Sequence, residues 1–313
     1  MTLSGSKKIQ RAHFAPLIPE NHHVPYPYCY HCIFNETYPH CMRKEFEGIP
    51  VPYCLSYLIE IVFERIIDPE DVAIIMVEPI QGEGGYIVPP KEFLPALRKI
   101  CDKYGIILAF DEIQSGLGRT GKWFACDHVN IIPDIIVIAK AIASGLPMSA
   151  TVSKAELQDP VLDKRAWPPG AHGSTFGGNP VIAAAGIASL RLIENGLIEN
   201  ARIIGEHLKQ GLIDIMNRHK IIGEVRGLGL MIGMEMVQDK TTKENFPAAV
   251  TTNGKNIKEV ITGECFKRGL ILYGAGFNSI RISPPLIINK DDADQAIKII
   301  DEVITLVENK LYD

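Results

Sequence analysis

The stretch Pro133-Asp-Ile-Ile-Val-Ile-Ala-Lys140-Ala-Ile-Ala-Ser-Gly-Leu-Pro147 sets four consecutive β-branched residues, Ile135 to Ile138, just ahead of a single lysine. A run of that composition reads as a strand covered on both faces of a parallel or mixed sheet. Gly145 and Pro147 then turn the chain. Lys140 is therefore expected at the end of a dry strand, where desolvation favours the neutral, nucleophilic amine. Taken alone, such a lysine reads as one that snorkels to solvent. Its neighbours along the chain decide otherwise.

Upstream, apolar residues at helical spacing predict a helix over Leu55 to Ile66, followed by a continuous apolar strand, Val72 to Val77. That strand ends in Glu78-Pro-Ile-Gln-Gly-Glu83-Gly-Gly, a polar glycine-rich loop at a strand's carboxyl end, where open α/β sheets place their ligands. A helix over Lys91 to Tyr104 leads to a second strand, Ile106 to Phe110. It ends in Asp111-Glu-Ile-Gln114-Ser-Gly-Leu-Gly-Arg-Thr-Gly121. Helical crossovers make such strands parallel, so Glu83, Asp111 with Gln114, and Lys140 are expected on one edge. Each acid alone reads as a helix cap or a solvated turn. Together they read as an active-site rim.

Residues 1 to about 54 are expected to be irregular, because Pro16, Pro19, Pro25, Pro27, Pro39, Pro50 and Pro52 repeatedly forbid helix and central strand. Ala171-His-Gly-Ser-Thr175-Phe-Gly-Gly-Asn-Pro180 is a polar turn before a closely packed helix, Val181 to about Asn195. Such a turn suits an anion held by backbone N–H groups and the Thr175 hydroxyl. A helix from Ile198 to about Arg218 follows. Short strands near 221–226, 229–237, 269–273 and 279–282, a helix near 257–268 and a final helix from Asp291 to Leu311 make an α+β lobe. Within it, Arg281-Ile-Ser-Pro-Pro285 holds a guanidinium suited to a carboxylate, or simply an arginine on an edge strand.

The composition is that of a soluble globular chain: 46% hydrophobic, 22% charged, with 32 basic and 37 acidic residues giving a net charge of −5. Nothing in it calls for a nucleic-acid or polyanion partner. The N-terminus has no apolar signal core, and no apolar run approaches the ~20 residues of a membrane span. A cytoplasmic protein is expected, with its seven cysteines reduced. Cys29, Cys32, Cys41 and Cys54 have a spacing compatible with a zinc site. Because the second pair lacks the CxxC spacing and the segment is crowded with Tyr26, Tyr28 and Tyr30, a packed surface excursion without metal is the reading taken.

These motifs, in this order and across nearly the whole chain, resemble the class III pyridoxal-phosphate aminotransferases, the group of 4-aminobutyrate, ornithine and acetylornithine aminotransferases. The resemblance implies an α/β fold of type I: a mixed, mostly parallel sheet in a large cofactor-binding domain, 1–205, incomplete at its N-terminus, and a small α+β C-terminal domain, 206–313. It implies that Lys140 binds pyridoxal 5'-phosphate as a Schiff base and shuttles the proton. Asp111 would pair with the pyridine nitrogen, Ile113 pack on the ring and Gln114 hydrogen-bond its phenolic oxygen. Thr175 would reach the phosphate of a neighbouring subunit's cofactor, which implies a homodimer with shared active sites. Arg281 would clamp the substrate carboxylate and Glu83 pair with Arg281 when an ω-amino donor is bound.

Family members carry, ahead of the position of Met1, an arm and the opening of the large domain, with a phosphate-binding turn and an aromatic stacked on the ring. The resemblance implies that Met1 is an internal start and that this chain alone binds cofactor weakly with reduced activity, or joins a separate chain supplying the missing part. An amino-acid racemase or epimerase on the same fold is an open alternative, as is a non-catalytic fragment or subunit. The amino donor and acceptor stay open.

Overall fold

The computed structural model describes residues 2–5, 8–159, 168, 170–251 and 254–312. The proline-rich opening holds one helical turn, α1 (Lys8–Arg11), and then a hairpin where the sequence reads as coil: β1 (Met42–Phe46) pairs antiparallel with β2 (Ile49–Pro52). Glu47 and Gly48 connect them at positive φ, 50° and 78°, the left-handed pair that a two-residue hairpin turn demands. A two-stranded ladder tolerates Pro50 and Pro52 because the outer side of each strand needs no donor. Helix α2 (Tyr53–Tyr57) runs on into a wider π-type turn, Leu58–Phe63, so the expected helix is present but begins and ends earlier.

The main sheet has the order β3 (Ile74–Val77), β4 (Ile107–Asp111), β5 (Ile135–Ile138), β6 (Ala150–Ser153). The first three strands are parallel and β6 returns antiparallel at the edge. Helix α3 (Phe93–Tyr104) crosses from β3 to β4 and ends at Gly105 with φ 67°. From β4 to β5 there is no helical crossover: residues 112–134 carry only a 3-10 turn, Ala125–His128. The loop is long enough to keep the strands parallel without one.

Register divides the side chains between two faces. Ile75, Val77, Leu108 and Phe110 face the core built with α3 and the 53–63 helix. On the same side, Ile136, Ile138 and Ala150 join a core with α4 (Pro180–Leu192), which Asn179 caps by accepting from Val181 and Ile182 N–H. The opposite face carries Ile74, Met76, Ile107, Ala109, Ile135 and Val137, and it ends in Asp111. Ile74 is 43% and Met76 37% exposed, so this sheet is not covered on both faces as its β-branched runs predict. Among the described residues nothing covers Ile74 and Met76 on this face of β3. Helix α4 is likewise more open than its composition predicts, with Val181, Ile187 and Leu192 exposed.

Residues Pro180–Arg218 are, by length and composition, apolar enough to cross a membrane, which corrects the reading that no run approaches that length. They are two helices rather than one, broken where Gly196 takes φ 115°. The second, α5 (Ile198–Arg218), buries Ala201, Ile204, Leu208, Leu212 and Ile215.

That buried stripe packs on the second sheet, antiparallel in the order β10 (Tyr273–Ala275), β11 (Ser279–Ile282), β8 (Met231–Asp239), β7 (Ile222–Leu228), with β9 (Glu244–Asn245) on β8. Ile232, Met234, Met236, Ile280 and Ile282 meet α5, α6 (Ile257–Phe266) and α7 (Lys290–Tyr312) in the largest core. Gly205 is where α5 comes closest: a Cβ there would lie 2.2 Å from the Gly229 carbonyl carbon and oxygen, backbone atoms that cannot rotate away. Gly205→Ala is expected to lose about 1–3 kcal/mol through overpacking, read as a lower urea midpoint at unchanged slope.

Candidate active site

Three parallel strands deliver three polar clusters to one edge, as expected. Glu78 and the Glu83 loop follow β3, Asp111 closes β4, and Lys140 lies two residues past β5. Lys140 takes φ 49°, a left-handed conformation for a side chain with a Cβ, at the start of a 3-10 turn, Lys140–Ala143. Strain of this kind costs on the order of 1–3 kcal/mol and gathers where function requires a fixed direction.

Lys140 is exposed, which corrects the expectation of a dry strand end. The surrounding protein nevertheless lowers its pKa, first by desolvation and secondarily through Arg281, against the pull of Glu83, Asp111 and Glu78. Lys140 is thus within electrostatic reach of all four groups. Its amine should react with an amine-selective acylating reagent with an inflection below the ordinary lysine range. Glu83→Gln, which removes a stabilising anion, should move that inflection lower, and Arg281→Gln should move it higher. Peptide mass spectrometry across pH checks both directions.

Asp111 Oδ1 accepts from Ile113 N–H at 3.0 Å, an Asx turn that fixes the carboxylate at the strand end. The Gln114 side chain packs over Gly82, where a Cβ would lie 2.5 Å from Oε1 and would push the Gln114 side chain aside. Gln114 Oε1 is buried and has no hydrogen-bond partner among the described residues. Glu83 Oε1 accepts from Arg281 Nη1 at 2.5 Å, and the Arg281 guanidinium lies 5.6 Å from the centre of the Tyr273 ring. Glu78 accepts from Gly82 N–H at 2.7 Å; burial raises its pKa, and the nearby Asp111 adds to the rise.

Thr175 is exposed in the turn before α4, and no hydrogen bond or ion pair joins it to these groups among the described residues. Cys29, Cys32, Cys41 and Cys54 are free thiols lining one pocket with Tyr26, Tyr28 and Tyr38. Burial pushes Cys29 up to about 11 and Cys54 up to about 12. Among the described residues no three His, Cys, Asp or Glu side chains converge as metal ligands.

Sequence reading missed the groups beneath the site. Glu112, 1% exposed, accepts from Ser115 Oγ and Cys126 N–H and anchors the loop after β4. Arg226, whose side chain is 9% exposed, holds the loop of Glu83 and donates to buried Glu235. Period-two alternation hid them, since Glu224 and Arg226 flank Val225, and Glu235 sits between Met234 and Met236, as on any half-buried strand.

A model of the class-III aminotransferases matches residues 1–304. The chain is 39% identical over 298 residues to an alanine/serine racemase of Pyrococcus horikoshii, covering 94% of this chain and 58% of the relative. It is 38% identical over 247 residues to a 5-aminovalerate aminotransferase of Pseudomonas aeruginosa, covering 78% and 55%. A solved thermostable omega transaminase mutant from Pseudomonas jessenii superposes with a TM-score of 0.85 at 28% identity, over 99% of this chain and 65% of that one. The fold is that of the type I pyridoxal-phosphate transaminases. The chain belongs to the class III aminotransferase family. It spans about three fifths of the length of the curated relatives it matches.

Pyridoxal 5'-phosphate is the family's cofactor, and the residues present fit its ring end. The orphaned, buried Gln114 Oε1, three residues past Asp111, leaves room for a polar partner.

Proposed function

We propose that this chain carries the reactive half of a pyridoxal-phosphate-dependent aminotransferase, which moves an amino group from an ω-amino acid, such as 4-aminobutyrate or an ornithine-type donor, to an α-keto acid. The observation that carries this reading is the Glu83–Arg281 pair beside Lys140. An arginine covered by a carboxylate presents a neutral wall to a donor whose reacting end is an ω-amine. With Glu83 withdrawn, the same guanidinium forks an α-carboxylate. One pocket then accepts two unlike substrates in turn.

The cofactor, when bound, supplies an electron sink for the carbon from which a proton leaves. Lys140 Nζ would hold it and would take up that proton, as an amine that desolvation moves toward its neutral form. Asp111 would face the ring nitrogen, Ile113 would pack on the ring and Gln114 would lie at its phenolic oxygen. Thr175 would reach the cofactor phosphate of a second subunit. Residues 1–205 form the cofactor domain and 206–313 the small domain of a cytoplasmic homodimer. The uncovered face of the main sheet supports a further requirement: polypeptide from outside this chain covers it, and the chain alone holds cofactor weakly with reduced activity.

A racemase is the second reading, favoured by the 39% identity to a protein named alanine/serine racemase. Incubation with an L-amino acid in deuterated water, with and without an α-keto acid, separates them. Transfer that requires the acceptor is the expected result. Exchange of the α-proton with loss of chirality and no acceptor would establish racemisation instead.

A further inference from the structure

The small sheet presents a charged face toward the Glu83 loop. Register sets Arg226, Gly233 and Arg281 in one row across β7, β8 and β11, and Glu224, Glu235 and Ser279 in the next. Gly233 has no side chain, and loop backbone fills the space: a Cβ there would lie 2.8 Å from Gly85 O and 3.1 Å from Tyr86 Cβ. Arg226 closes on the loop from one side, donating from Nη2 to Gly85 O at 2.6 Å and from Nε to Tyr86 O at 3.1 Å. The same guanidinium donates to Glu235 at 2.7 Å, Ser279 Oγ at 2.7 Å and Glu224 at 2.8 Å. The Tyr28 hydroxyl also donates to Glu235. From the other side Gly276 N–H donates to Glu83 O at 2.9 Å. Glu235 is 1% exposed. Buried ion pairs are frequently no better for stability than apolar residues of the same size, so stability alone gives little reason for this one.

We propose that the buried Arg226–Glu235 pair is a positioning device, holding the Gly82–Tyr86 turn over Gly233 and thereby setting the contact of Glu83 with Arg281. This rests on the reading of that contact as the substrate switch and deepens it. Glu83 and Arg281 stand on separate lobes, and a turn free to drift would leave Arg281 uncovered. The pocket would then favour a carboxylate over an ω-amine. Lysine cannot replace Arg226, because one ammonium lacks the planar fork that serves Gly85, Tyr86 and Glu235 together.

The test reads the contact without cofactor or substrate, as the rate at which phenylglyoxal modifies Arg281 in the whole chain, followed by peptide mass spectrometry. Glu83→Gln removes the charge that holds Arg281 and should speed modification several-fold. Arg226→Lys should speed it to a similar degree, with faster amide exchange confined to residues 82–87 and unchanged exchange in α5. Gly233→Ala, which keeps both charges but fills the seat, should do the same, and Glu83→Gln combined with Arg226→Lys should add nothing further. If Glu83→Gln accelerates Arg281 and neither Arg226→Lys nor Gly233→Ala does, the proposal is overturned. If Glu83→Gln itself has no effect, the switch reading fails, while exchange over 82–87 still judges the clamp: protection retained in Arg226→Lys rejects it.

Discussion

Replacing Lys140 with alanine is expected to lower amino transfer by about 10²–10⁴-fold at equal cofactor saturation, the range that a positioned acid–base group supplies. The structure gives three reasons to place so large an effect here. Its backbone is held at φ 49°, which fixes the direction of the side chain. Its amine is moved toward the neutral form by desolvation and then by Arg281. It stands at the edge where Glu83, Asp111 and Glu78 converge. A small soluble amine such as methylamine should restore part of the lost rate in Lys140→Ala, because it can supply the missing base to an otherwise intact site. Loss without rescue, accompanied by a lowered melting temperature, would assign the lysine a structural role instead.

Asp111→Asn should produce the second largest loss, roughly 10–100-fold, corresponding to the ~1.5–3 kcal/mol of a hydrogen bond to a charged partner. Asparagine keeps the Asx turn onto Ile113 N–H, since its carbonyl oxygen accepts the same bond, so the end of β4 should stay folded. What it removes is the negative charge. The change should therefore appear in the turnover rate and its pH profile, with the urea midpoint shifted by less than that of Gly205→Ala. An equal loss of stability and activity would contradict the assignment.

The edge that carries Glu78, Asp111 and Lys140 was legible in the sequence because each follows a continuous apolar run: β3, β4 and β5 are found within one or two residues of where periodicity puts them. The hairpin Met42–Pro52 was not, since proline argues against strand except at an edge, and edge status is a property of the assembled sheet. Strand β6 escaped notice because Ala150-Thr-Val-Ser153 is short and only half apolar. The β-branched runs predicted burial on both faces, and Ile74 and Met76 lie open. A run of apolar residues gives hydrophobicity but not which faces are covered, because cover is a property of the assembled layers. Arg226 and Glu235 were hidden for another reason: Arg226 donates to backbone carbonyls of a loop about 140 residues away, and Glu235 accepts from Arg226 and from Tyr28, about 200 residues away, which no local pattern reveals.

The most direct test of the account is where the cofactor attaches. The chain would be incubated with saturating pyridoxal 5'-phosphate, reduced with borohydride, digested, and mapped by peptide mass spectrometry. The account predicts one dominant label, on Lys140, weak at low cofactor and absent in Lys140→Ala. Label spread across surface lysines, or concentrated on another lysine while Lys140 stays free, would contradict it.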